Sequence, residues 1–149
     1  MDNNVGPNDE VAELCCNLDD MTGEALGHAF GVLLDAGAYD VFTTAIHMKK
    51  DRPGTKLSCI CAVEKADFFA ALMLKHTTSF GIRRTIHSRY ILDRKIETVT
   101  TPLGKVRVKT GTGYGVTKSK AEYDDLAALA REHKLPISEI EGAILPFFP

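Results

Sequence analysis

No apolar run in the 149-residue chain approaches the ~20 residues that cross a bilayer, and residues 1–10 are polar rather than the charged-then-apolar pattern of a signal peptide. A membrane span and a secretory leader are therefore excluded as readings, and a soluble, cytoplasmic protein is expected. Charge of one sign is also lacking: the formal net charge is -2, too balanced for a protein that holds nucleic acid through its overall field. Any anion site must be local. Cysteine is sparse. Cys15, Cys16, Cys59 and Cys61 lie inside apolar strand patterns, without the second C-x-C or C-x-x-C pair that a zinc site needs, so reduced, buried thiols are expected. The chain has no H-x-H or E-x-x-H spacing for a histidine metal site and no G-x-S-x-G nucleophile elbow. Gly111, Gly113 and Gly115 open no helix directly, which removes the dinucleotide fingerprint.

What is present is a set of short alternating segments. Residues 1–10 read as a disordered lead-in. A buried strand over 11–18 runs into Asp19-Asp20-Met21-Thr22-Gly23-Glu24, where Thr22 or Asp20 can cap a helix that buries Leu26, Ala29, Phe30, Leu33 and Leu34. Strands over 39–48 and 56–63 flank a turn; a helix over 64–76 and a strand over 82–92 follow. The order βαββαβ predicts an α+β domain with a ferredoxin-like split βαβ core over residues 11–94: an antiparallel four-stranded sheet with both helices on one face. Residues 95–149 read as an added β-hairpin and C-terminal helices packed on that core. Within them, Tyr123 is expected to be buried, and Ser138 with Glu141 to form a capping box.

Two clusters carry candidate chemistry. Met48-Lys49-Lys50-Asp51-Arg52-Pro53-Gly54 places Lys49, Lys50 and Arg52 on one hairpin tip, where mutual repulsion stabilises nothing unless an anion docks. A solvated tip that protects a sheet edge is the plainer reading. Thr77, Thr78 and Ser79 line up hydroxyls before Arg83 and Arg84, the donor set that phosphate oxygens need; a helix end followed by an exposed strand would look the same. Arg89 and Arg94 extend the basic stripe. Asp19 and Asp20 can hold a divalent ion, although a cap and a dipole partner account for such a pair too. Lys105, Arg107 and Lys109 are expected on a solvated face.

In order and spacing, these segments resemble the C-terminal, nucleotide-binding domain of the LarC family of nickel insertion proteins. The resemblance rests on residues 17–24, Gly37-Ala38-Tyr39-Asp40-Val41-Phe42, residues 48–54, Thr77-Thr78-Ser79-Phe80-Gly81-Ile82-Arg83-Arg84 and residues 89–94, with a looser match to Ile140. Ser79 stands where the family pattern expects a threonine. The resemblance implies part of a CTP-dependent lyase, a metal chelatase that inserts nickel into pyridinium-3,5-bisthiocarboxylic acid mononucleotide in nickel-pincer cofactor biosynthesis. CTP with Mn or Mg would be the cofactor and nickel the substrate metal. Lys49, Lys50, Arg52, Thr77, Thr78, Arg83 and Arg84 would surround the triphosphate, with Arg89 and Arg94 on the same stripe and Asp19 and Asp20 on the divalent ion. The family's nickel-holding N-terminal domain, or a separate subunit in its place, would be a partner, and a homo-oligomer is implied. A non-catalytic ligand-binding or regulatory module of the same fold is the alternative.

Overall fold

The computed structural model describes residues 6–149, which divide into two compact units: Pro7–Tyr90, and Ile91–Pro149 together with Gly6. The first unit runs β1 (Asp9–Leu18), α1 (Gly23–Asp35), β2 (Asp40–Met48), β3 (Arg52–Cys61), α2 (Ala66–His76) and β4 (Arg83–Arg89). Its sheet has the order β2-β3-β1-β4 with every neighbouring pair antiparallel, the arrangement of a split βαβ unit. Period-two alternation sorts β1 cleanly. Ala12, Leu14, Cys16 and Leu18 join Leu33 of α1 and Phe69 and Met73 of α2 in one buried cluster, while Glu13, Cys15 and Asn17 belong to the other face. Cys59 and Cys61 sit in that cluster, and burial pushes the Cys59 thiol up to about 12. All four cysteines are unbridged; Cys15 alone is only half-buried.

Thr22 caps α1, its hydroxyl accepting from the Ala25 amide at 3.2 Å, so the capping role falls to Thr22 and not to Asp20. Gly37, at φ +91, supplies the left-handed residue after the helix. The expected lead-in is shorter than residues 1–10. Asp9 and Glu10 are already in β1 because Asp9 is paired in register with Arg89, whose guanidinium takes its carboxylate. Residues 1–5 lie outside the described residues.

The second unit is built from β5 (Asp93–Thr101), β6 (Gly104–Gly113), β7 (Val116–Ala121), α3 (Tyr123–His133) and α4 (Ile137–Ile144), with strand order β5-β6-β7. It buries its own cluster: Val106, Val108, Ala121, Leu126, Leu129, Ile140 and Ile144, with Phe148 of the apolar tail against them. Arg94 belongs here, on β5, and not to the βαββαβ unit. Tyr123 is exposed, not buried, because it occupies the first position of α3, ahead of the turn that meets the core. The Ser138–Glu141 box does not form: α4 starts at Ile137 after Pro136, so Ser138 is already inside the helix. The face expected to be solvated is partly paired. The Asp125 carboxylate accepts from the Arg107 backbone amide and from both Nε and Nη2 of its guanidinium at 2.8–2.9 Å, and Lys109 reaches Glu122 at 2.8 Å. Those bonds hold the Asp125 carboxyl below its usual range.

Candidate functional site

Strand register decides what meets at the C-terminal end of β1. Leu18 pairs with Thr55 near the start of β3, and Cys15 pairs with Arg83 at the start of β4. The tip between β2 and β3 and the loop between α2 and β4 therefore both close on residues 17–20. Three tethers from three different elements end there. The Arg83 guanidinium donates to Asn17 Oδ1 at 2.7 Å, Arg52 donates to Asp19 Oδ2 at 3.1 Å, and the Thr78 hydroxyl donates to Asp20 Oδ1.

The hairpin tip itself is strained. Lys50 and Asp51 hold φ of +63 and +55, the left-handed region, at about 1–2 kcal/mol for each non-glycine residue. Among the described residues neither Lys49 nor Lys50 is ion-paired. Strain of this kind at a charged turn is characteristic of binding loops. At the base of the tip, Gly54 permits close passage: a Cβ there would lie 2.9 Å from the Leu18 carbonyl oxygen and 2.7 Å from Met48 Sδ. The hydroxyl loop is pinned by its own bonds. Thr77 Oγ1 donates to the Met73 carbonyl at 2.7 Å, closing the end of α2, and Ser79 Oγ donates to the Gly81 carbonyl at 2.7 Å. Behind it sits the Cys16 thiol, which burial raises although Thr77 and Ser79 bond to it.

Lys49, Lys50, Arg52, Thr77, Thr78, Arg83, Asp19 and Asp20 are thus gathered at one end of the sheet. Arg84 is not on Arg83's face. It pairs in register with Leu14 on the helix face and reaches Asp67 of α2 at 3.5 Å. Arg89 is at the opposite end of β4, bound to Asp9 and with its guanidinium carbon 5.5 Å over the Tyr39 ring; a ten-residue strand, about 30 Å, separates Asp9 from the Asp19 end. Arg94 lies in the second unit. Asn17 is absent from the sequence-derived set, although an amide two residues ahead of a pair of acids at a strand end is a recognisable signal.

A hollow of about 510 Å³ on the open face also lies at the Asp9 end, lined by Val11, Glu13, Tyr39, Asp40, Ile60, His87 and Arg89. Its polar groups largely satisfy one another: buried Ser58 donates to Glu13 Oε1 at 3.1 Å, and His87 Nε2 meets Glu13 Oε2 at 3.1 Å. The hydroxyls, acids and unpaired lysines favour the other end.

Residues 2–141 match the family model described as nickel insertion protein. The chain belongs to the nickel insertion protein family. It is similar to the pyridinium-3,5-bisthiocarboxylic acid mononucleotide nickel insertion protein of Lactiplantibacillus plantarum, with 44% identity over 137 residues covering 92% of this chain and 33% of that protein. It is likewise similar to a putative nickel insertion protein of Maridesulfovibrio salexigens, 45% identical over 128 residues, 85% of this chain and 31% of that protein. The chain therefore spans about a third of the length of these curated relatives. Among solved structures it resembles LarC2, described as the C-terminal domain of a cyclometallase involved in synthesis of the NPN cofactor of lactate racemase. That likeness has a TM-score of 0.88 and 44% identity over 93% of this chain and 96% of the LarC2 chain.

The carboxylates at the Asp19 end suit a hard divalent cation. Both are oxygen donors and adjacent, and the bonds described use only Oδ2 of Asp19 and Oδ1 of Asp20, which leaves a second oxygen on each. Mg²⁺-type ions take one or two carboxylates and complete their shell with phosphates and water. Among the described residues no three His, Cys, Asp or Glu side chains cluster as a self-sufficient metal cage, so a ligand would have to contribute.

Proposed function

We propose that this chain binds CTP with a Mg- or Mn-type cation at the Asp19 end of the sheet, as the nucleotide-holding part of a CTP-dependent nickel insertion enzyme. The observation that carries it is the convergence of Arg83, Arg52 and Thr78 on residues 17–20 beside a tip bearing Lys49 and Lys50. In this reading nickel is the substrate metal, pyridinium-3,5-bisthiocarboxylic acid mononucleotide its acceptor, and the remaining two-thirds of the relatives' length a necessary partner, whether fused or separate. The working form is a cytoplasmic homo-oligomer.

Magnitudes favour an exchange of partners on binding. The Arg52–Asp19 pair is partly open to water, and surface pairs contribute about 0–1 kcal/mol. A charge-assisted bond from the same guanidinium to a phosphate contributes about 1.5–3 kcal/mol. Arg52 therefore loses little by leaving Asp19, whose carboxylate then turns with Asp20 to the divalent ion. Arg83 offers its planar fork to a phosphate, Lys50 and Lys49 neutralise the remaining charge, and Thr78 holds Asp20 in place. The bound cation supplies charge neutralisation at the phosphates.

Calorimetric titration of CTP, ATP and GTP in the presence of Mn²⁺ tests the reading. Saturable, Mn²⁺-dependent binding at sub-millimolar concentration is expected. Absence of binding by every nucleotide would leave a non-catalytic module of the same fold.

A further inference from the structure

We infer that Phe80 is the platform on which the base of the bound nucleotide stacks. The inference rests on the nucleotide reading above and concerns the half of the ligand that the charged groups leave unaddressed.

Phe80 has a relative exposure of 106%, against 65% for Tyr123, the next most exposed large apolar side chain among the described residues. Its ring touches neither core and gains nothing from burial in this chain. The ring is not exposed because its loop is slack. Thr77 is bonded to Met73, Ser79 N–H donates to Thr77 Oγ1 at 3.3 Å, Ser79 Oγ bonds to Gly81, and Thr78 is bonded to Asp20. The backbone on both sides of Phe80 is thereby held, and the ring stands out from a fixed base. Gly81, the next residue, has nothing within 4 Å of where a Cβ would sit, so a flat group can approach beside the ring.

Its neighbours in sequence are the groups that would take the phosphates and tether Asp20. A triphosphate spread over Arg83 and the tip lysines leaves a ribose and a planar base to place, and every base has a π-face that an aromatic ring can cover. Phe42 is an exposed phenylalanine on the open face of the sheet. It is on β2, in a cross-strand row that reaches Arg83 only across β3 and β1, about 14 Å away. Stacking on Phe80 is indifferent to which base is present. Phe80 therefore adds grip for nucleotides as a class and does not discriminate CTP from UTP or ATP.

The test compares the binding of Mn²⁺ with CTP, UTP, ATP and inorganic triphosphate by wild type, Phe80→Ala and Phe80→Trp, with light scattering for the mass of each. Phe80→Ala should weaken all three nucleotides by a similar factor of about ten and leave inorganic triphosphate unchanged, while Phe80→Trp retains nucleotide affinity. Wild type that binds CTP, with Phe80→Ala binding it equally well, overturns the inference and spares the nucleotide reading. An equal loss for inorganic triphosphate, or a changed mass accompanying the loss, overturns it too, since the ring would then be a structural or subunit contact. Wild type that binds no nucleotide overturns the nucleotide reading itself, and this inference with it.

Discussion

The two ends of the four-stranded sheet carry similar residues and use them in opposite ways. On the open face at the Asp9 end, Arg89 is paired with Asp9 opposite it, and Glu13 is shared between His87 and Ser58 of the two neighbouring strands. At the Asp19 end, Lys49 and Lys50 stand on a strained turn and lie outside every ion pair described. A charge network closed on itself is explained by the fold. One left open is what the proposed triphosphate would close. Basic residues near a hollow are therefore weaker evidence than basic residues whose charge nothing local offsets.

The largest expected effect falls on the open end. Arg83→Ala should weaken Mn²⁺–CTP binding roughly 10- to 100-fold, as expected for a lost charge-assisted bond of about 1.5–3 kcal/mol, with little change in thermal stability. Calorimetry paired with a melting curve checks both halves; an unaltered affinity would place the triphosphate elsewhere. Gly54→Ala comes next. The Leu18 carbonyl cannot yield as a side chain tip would, so about 1–3 kcal/mol of stability should be lost, read as a lower urea midpoint. If stability is unchanged, the tip is more pliable than its geometry implies.

At the closed end, Arg89→Ala should cost under about 1 kcal/mol of stability and leave CTP binding as it is, because a half-exposed surface pair contributes little. A tenfold loss of affinity there would break the contrast between the ends. The smallest effect concerns the second unit, where Arg107 is likewise closed on Asp125. The Asp125 carboxyl is depressed in the folded state, so its contribution is present above the unfolded carboxylate range and fades as pH falls through and below about 4. Melting curves between neutral pH and pH 3 should show a shallower acid loss for Asp125→Asn than for wild type.

Much of this was legible in the sequence because the physics was local. Thr22 before a helical period, apolar alternation in β1, and two acids at a strand-to-helix handover need only neighbours in the chain to be read. Register is not local. That Arg83 faces Asn17 while Arg84 turns to Asp67, and that Arg89 lies a strand's length from Asp19, depends on which residues pair across strands. The same holds for Asp9, a polar residue that enters β1 only because Arg89 lies opposite. β7 is not legible because Val116-Thr117-Lys118-Ser119-Lys120 is a polar edge strand after a glycine-rich turn, whose pairing with β6 supplies what its composition does not.

The most direct test is a crystal of the protein with Mn²⁺ and CTP, with anomalous scattering recorded at the manganese edge. The account predicts a peak coordinated by Asp19 and Asp20, with triphosphate density running toward Arg83 and the Lys49–Lys50 tip. A manganese peak in the hollow between Glu13 and Asp40, with the Asp19 end unchanged, would contradict it.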